Sequence, residues 1–323
     1  MIALCPGSWR ERHGSVKVGR GFELYDARDM QPGPPLDTDA PADDRGLRVL
    51  VLGLAVGLLF LGLLLASTNG HFVPPVVDLY VVCQYAKAMA EGHPFRYNAG
   101  EAGSTGATSL LHTAILALGH ALGARGEGLV ALAIGLGFAY FLATLWLVRR
   151  IGTALGGSRT GALAGALTAL NGPVAWGFMY GSDIALFMLL ATLLLERLVA
   201  WAQTGKTTGL IVAAVLLALA RPEGLVIAVL LGGLLLRPGR PARERVLVLL
   251  PLAAGGAVLL LQRVMTGSWL GTSVADKSLL ASYGLVDTLG LSAQYAVDVL
   301  RRPFSAFPAA SRPSTFPRCP SCS

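Results

Sequence analysis

The sequence predicts an all-helical, polytopic membrane bundle, and three observations carry that prediction. Hydrophobic residues make up 54% of the 323-residue chain and charged residues 14%, with a mean hydropathy of +0.60, far from the balance of a water-soluble domain. Several apolar runs reach the roughly 20 residues that a helix needs to cross about 30 Å of hydrocarbon. Arginines gather in short clusters between those runs, as expected where membrane-protein loops keep their positive charge on one side. A conventional soluble core is thereby excluded. The net charge of +7 follows from the same clusters, so nucleic acid is not an expected partner. Cys5, Cys83, Cys319 and Cys322 have no framework spacing, and the terminal Cys-Pro-Ser-Cys lacks a second pair to complete a zinc site.

Residues 1–44 mix Gly, Pro, Asp and Arg without periodicity, and a disordered cytoplasmic tail is expected there because they cannot bury enough apolar surface. A transmembrane region is expected over 45–300. Its first run, Gly46 to Ala66, follows Arg45 and has no small-residue cleavage site, so it reads as a retained helix with a cytoplasmic start. Residues 67–126 then form a first outer loop. That loop holds an amphipathic stretch from Asp78 to Glu91, the polar turn RYNAGEAGSTGATS and the apolar run Leu110 to Leu122. Short, and carrying His112 and His120 near two helical turns apart, the last run is expected to lie at the outer interface with one polar face.

From there Leu129 to Val148 leads inward to Arg149, Arg150 and Arg159, and Gly161 to Gly177 returns, its small residues serving helix packing. Ser182 and Asp183 make an outer turn before Ile184 to Trp201 descends to Lys206. The apolar stretch Thr208 to Leu236 is interrupted at 221–224 by Arg-Pro-Glu-Gly, where proline and glycine break a helix. Arg237, Arg240, Arg243 and Arg245 place both its ends inside, so a hairpin of two half-helices is expected with Arg221 and Glu223 at its tip. Each half reaches only about 18 Å at 1.5 Å per residue, and the tip needs cover from protein or water. Val246 to Leu261 then runs outward to the loop that carries Lys277. About seven spans result, with interfacial helices in the first outer loop. Asp78, Asp183, Arg221 with Glu223, and Lys277 are expected to converge on one side. Residues 301–323 form a Pro, Ser and Arg rich tail, an ending of the kind that truncation or a frameshift produces. No internal repeat is evident, which weakens an inverted-repeat transporter.

The stretch VDLYVVCQYAKAMAEGHPFRYNAGEAGSTGATSLLHTAILALGHALG resembles the first outer loop of GT-C membrane glycosyltransferases, in particular relatives of the protein mannosyltransferases and the aminoarabinose transferase of lipid A. Tyr80, Tyr85, Ala86, Gly92, Tyr97, Asn98, Gly106, Thr108 and Ser109 match that pattern. Asp183 in YGSDIALF, Ala-Arg-Pro-Glu-Gly at 220–224 and Lys277 in TGSWLGTSVADKS are similar to three later stretches of the family, so the resemblance runs from Leu50 to Lys277. It implies a GT-C bundle that uses a lipid-phosphate-linked sugar donor and a glycan, lipid or protein acceptor, among membrane lipids. It also implies a bacterial inner-membrane location, a cytoplasmic amino terminus and an outward-facing site. Asp78 and Asp183 are the implied catalytic carboxylates, Arg221 and Lys277 the binders of donor phosphate, and Tyr80, His93, Tyr97 and Glu223 the substrate contacts. No cofactor is specified, and a divalent cation would fall to Asp78 and Asp183. The family's pattern opens on an acidic pair, whose first place Val77 takes here, leaving Asp78 as the remaining carboxylate.

Plainer roles stand beside these. Asp78 and Asp183 each precede a helix and are placed to cap it. Arg221 and Glu223 form a sealing pair in the plain reading, whereas charges so close to hydrocarbon otherwise mark function. A small-solute transporter, or an inactive relative that binds lipid-linked sugar, remains the alternative function.

Overall fold

A computed structural model describes residues 44–235, 242–269 and 279–301. All of them lie in the compact unit Pro34–Ser323. Lys277, most of the two expected tails and the arginines at 237 and 240 fall outside the described residues. Among the described residues all regular structure is helical. The helices are α1 Asp44–Ser67, α2 Asp78–Ala90, α3 Leu110–Ala121, α4 Glu127–Ala169, α5 Gly172–Met179, α6 Asp183–Thr204, α7 Thr208–Ala220, α8 Pro222–Leu235, α9 Ala242–Leu247, α10 Leu249–Thr266 and α11 Leu279–Arg301.

Among the described residues four helical stretches are long and apolar enough to cross a membrane: Asp44–Ser67, Glu127–Leu170, Asp183–Thr204 and Arg245–Thr266. The first and the last of them bury little of their own surface. On α1 the buried positions are Gly46, Val49, Gly53 and Gly57, a small-residue stripe at helical spacing. Gly53 lies against Leu145 and Gly57 against Phe138, so the stripe lets α1 approach α4 closely. Leu47, Val51, Leu54 and Leu58 stay exposed on the rest of its surface. A helix apolar all round but buried on one stripe is matched to lipid as its solvent, and the chain is an integral membrane protein on that ground.

The long helix α4 is a hairpin. Gly156 and Gly157 leave helical geometry, and Gly157 takes φ 82°, a region that favours glycine. Were the helix straight, Arg149 and Gly161 would stand about 18 Å apart. Instead, a Cβ built on Gly161 would meet the Arg149 carbonyl oxygen at 2.5 Å, and one on Gly152 would meet Gly161 Cα at 2.8 Å. The chain therefore folds back on itself around residues 156–157, beside the Arg149, Arg150 and Arg159 cluster. The expected single return over Gly161 to Gly177 is not continuous. It ends at Ala169, and a new helix, α5, starts after Asn171, whose side chain accepts a hydrogen bond from Val174 N–H at 3.1 Å. Asparagine at the cap and Pro173 in the first turn impose that restart.

The break at Arg-Pro-Glu-Gly is narrower than four residues. Arg221 alone is extended (φ −154°, ψ 153°), and helix resumes at Pro222, whose missing N–H suits a first helical position. Gly224 lies against the Leu217 carbonyl, so α8 folds back along α7. A core of Leu186, Leu190, Leu194, Leu210, Leu217 and Val248 ties α6, α7 and the start of α10 together.

Helix α3 corrects the expectation of a polar interfacial face. His112 is fully buried and His120 nearly so, and both turn into the protein, while Leu118 and Leu122 are exposed. Leu116 and Ala117 pack against α2 and α4 on the same side, and the face of α3 turned outward is apolar.

Candidate functional site

Residues from three distant parts of the sequence meet around one carboxylate. Asp183 opens α6 but does not cap it, since Ser182 holds the cap position and its hydroxyl accepts from Ile184 N–H at 3.4 Å. Freed from that task, the Asp183 carboxylate is buried at 6% exposure and takes three donors. Ser182 Oγ donates to Oδ1 at 2.7 Å, and Thr108 Oγ1 and Arg221 Nη1 both donate to Oδ2 at 2.7 Å. Arg221 extends the chain outward, with Nη2 on Glu223 Oε1 at 3.1 Å and Nε on Glu223 Oε2 at 3.3 Å. Three of the five guanidinium N–H donors are thus engaged and two remain. Phe187 lies under the guanidinium, 5.9 Å from its ring centre.

The extended backbone at Arg221 separates the two half-helices, and Glu223 in the first turn of α8 stands within reach of its side chain. Thr108 arrives from the first loop by a different route. Tyr85 on α2 shares a hydrogen bond with Ser104 and accepts from Gly106 N–H at 3.1 Å, while Gln84 donates to the Tyr97 carbonyl at 2.8 Å. Tyr97 meets Tyr85 edge to face at 5.7 Å. Ser109 then caps α3, accepting from His112 N–H at 3.2 Å. These contacts lay the loop on α2 and present Thr108 to Asp183.

Asp78 differs from Asp183 in every respect. Val77 takes the cap position of α2, no side-chain capping bond is made, and Asp78 is exposed in the first helical turn. Among the described residues nothing hydrogen-bonds or ion-pairs with its carboxylate. Leu79 beside it is fully buried against the turn Gly181, whose φ of 75° and lack of a side chain admit that contact. Next in that turn is Tyr180, close enough for the charges of Asp78 and Asp183 both to act on its phenol. Burial foremost, then those charges, hold Tyr180 above the usual tyrosine range, against its hydrogen bond to Ser182 and the pull of Arg221. Asp78 and the Asp183–Arg221 pair therefore flank one turn.

Of the remaining expected site residues, Glu223 joins the cluster from an exposed position. His93 is half-buried, and its backbone N–H closes α2 on the Ala88 carbonyl at 2.8 Å. Tyr97 is 38% exposed and serves the loop. Tyr80 is not with Asp78, because it lines a separate cavity on another stripe of α2. Lys277 lies outside the described residues.

Two residues carry structure that the sequence reading missed. His112 is fully buried and its Nε2 meets the Gly181 carbonyl at 3.2 Å, so it pins the turn before Asp183. Burial lowers its pKa, against the pull of Asp183 and of the Gly181 carbonyl, and keeps the ring neutral at pH 7. Glu196 lies three to four turns further along α6, 1% exposed, with Arg150 at 2.9 Å and Arg197 at 3.1 Å. The signal was a carboxylate within a span, which demands a paired cation.

A divalent cation does not fit Asp183 as the residues stand. Both carboxylate oxygens are committed, and the guanidinium already supplies the positive charge. Among the described residues no three His, Cys, Asp or Glu side chains gather to hold a metal. No protein-family model, curated protein or solved structure matches the chain.

Proposed function

We propose that this protein is a membrane glycosyltransferase of GT-C type, which moves a sugar from a polyprenyl-phosphate donor to an acceptor at the outer face of a bacterial inner membrane. The supporting observation is the chain Thr108–Asp183–Arg221–Glu223, which joins three of the four stretches on which the resemblance rests and stands beside the unengaged Asp78. In this reading the four long helices, the broken return and the two half-helices make about seven spans.

Transfer needs a base for the acceptor hydroxyl and positive charge for the departing phosphate. The acceptor oxygen attacks the sugar's anomeric carbon and gives its proton to Asp78. The bond from that carbon to the phosphate oxygen breaks, and its electron pair leaves with polyprenyl phosphate. Arg221 offers its two remaining N–H donors to that phosphate, guanidinium forks being suited to such anions, and Lys277 adds a second charge. Asp183 acts through Arg221 as a positioning residue. Tyr97, His93 and Glu223 border the acceptor's approach.

The full-length protein in nanodiscs, given labelled polyprenyl-phosphate sugars, is expected to form product. Asp78→Asn should lower the rate by about a thousandfold, within the range of a lost general base. Product formation unaffected by that change would sink the assignment.

A second reading, binding of lipid-linked sugar without transfer, rests on Val77, which is 74% exposed where the family places its first acidic residue. Under that reading the wild type retains the labelled donor unchanged and Val77→Asp starts turnover. An active wild type, with Val77→Asp no faster, removes it.

A further inference from the structure

A cavity of about 480 Å³ opens on a different stripe of α2 from Asp78. Tyr80, Gln84 and Lys87 line it at i, i+4 and i+7 of one helix face. Asp78 stands roughly 160° round the same axis from Tyr80, at about 100° per residue, so the cavity and the Asp183–Arg221 cluster use opposite sides of α2. His120 from α3, Phe72 from the connection after α1 and Glu127 from the first turn of α4 complete the wall.

The one carboxylate in this lining is already satisfied. Glu127 accepts from Phe72 N–H at 2.6 Å and meets His71 Nδ1 at 3.3 Å. Beside it stand three uncommitted groups able to donate. Among the described residues, exposed Lys87 and the Tyr80 hydroxyl have no hydrogen-bond or ion-pair partner. His120 is nine-tenths buried, and its Nδ1 is without one as well. An ammonium, a phenol and an imidazole around a space of this size, with two aromatic rings, recognise an anion that carries several acceptor oxygens. The depth of the cavity narrows the choice. Its wall is built from the residues just past the end of α1 and from the first turn of α4, the ends of two stretches long enough to cross a bilayer. Lipid phosphates lie at that boundary, in the headgroup layer that flanks the hydrocarbon.

We propose that this cavity is a phosphate-binding site separate from the Asp78–Asp183–Arg221 cluster, with Lys87 as its principal cation and a lipid headgroup or a soluble phosphate ester as its ligand. The site stands whether or not the protein transfers sugar.

Full-length protein supports two binding measurements that separate the sources. In detergent, glycerol 1-phosphate is titrated and its phosphorus NMR line width followed. In nanodiscs of mixed phosphatidylglycerol and phosphatidylcholine, native mass spectrometry reads which lipid stays bound. Lys87→Ala should weaken binding about tenfold in whichever measurement responds, the loss of one charge-assisted hydrogen bond, and Lys87→Arg should keep it. His120→Gln should weaken it less, and Arg263→Gln, remote from the cavity, should leave it unchanged. Retention of phosphatidylglycerol alone assigns a headgroup, and a response to glycerol 1-phosphate assigns a soluble ester. Binding in neither measurement, or equal binding by wild type and Lys87→Ala, overturns the site.

Discussion

Asp78 and Asp183 are both carboxylates in the first turn of a helix, yet their surroundings give them opposite properties. Asp183 is buried and saturated, with Ser182, Thr108 and Arg221 on its two oxygens. Both of its oxygens are engaged inside the protein, away from an incoming hydroxyl. Asp78 is exposed and unengaged, so its oxygens are free to meet an incoming hydroxyl. The capping role considered for both belongs to neither, since Val77 and Ser182 hold the cap positions. Removal should separate them. Asp183→Ala takes the acceptor from Arg221 Nη1 and from the Thr108 and Ser182 hydroxyls while Glu223 still holds the guanidinium, and should destabilise the protein by about 1–3 kcal/mol, the cost of leaving buried donors unsatisfied. Asp78→Asn removes no contact and should leave the melting temperature in detergent unchanged. Equal melting of the two variants would show that the Asp183–Arg221 pair carries no structural load.

At the scale of helices, what local chemistry dictates was readable and what tertiary packing dictates was not. The break at Arg221 follows from the proline after it, and the bounds of α2 and α3 follow from Asp78, Glu91 and Ser109, all readable by eye. The inward turn of His112 was not, because an isolated histidine on an apolar helix has the same pattern whether it faces water or a carbonyl such as that of Gly181. The interruption at Leu170 and Asn171 was hidden by the apolar residues on both sides, although Asn-Gly-Pro is a helix start in miniature. The fold-back of α4 rests on a close backbone contact, where Gly161 lies against the Arg149 carbonyl and Gly152. A side chain there must separate the two limbs. Gly161→Leu should destabilise the protein by at least about 2 kcal/mol, through overpacking against backbone that has no rotamer to yield. Ala131→Leu, a similar increase in volume on the first limb, provides the comparison. A Gly161→Leu protein that melts with the wild type would mean that the limbs do not pack as described.

Across the whole molecule, charge sorts by position along the spans, and that sorting yields a topology open to test. Asp183 and its partners lie at the start of α6, whereas Glu196 with Arg150 and Arg197 lies about 20 Å further along the same helix at 1.5 Å per residue. Arg150 brings the fold-back of α4 to that second level, while Thr108 brings the first loop to the first. Convergence of the first loop, the turn before α6 and the α7–α8 junction was legible because charges cannot be left singly near hydrocarbon, and the spans dictate which ends can meet. The Arg221–Glu223 pair was legible as well, but the Asp183–Arg221 pair was not, since it depends on Ser182 relieving Asp183 of its cap. If α4's first limb crosses the membrane once, Glu101 in the loop and Arg159 past the fold-back must face opposite compartments. Single cysteines introduced as Glu101→Cys and Arg159→Cys, in a protein whose Cys5, Cys319 and Cys322 are replaced by serine, should label from opposite sides with a membrane-impermeant maleimide. With the amino terminus cytoplasmic, the Glu101→Cys protein should react in intact cells and the Arg159→Cys protein only after lysis. Cys83 provides the internal background, because burial pushes its thiol up to about 11 and leaves little reactive thiolate at neutral pH. Labelling of both positions from one side would contradict a membrane crossing by that limb, and labelling in the reverse order would place the Asp78 face on the cytoplasmic side, where an outer-leaflet lipid-linked sugar cannot reach it.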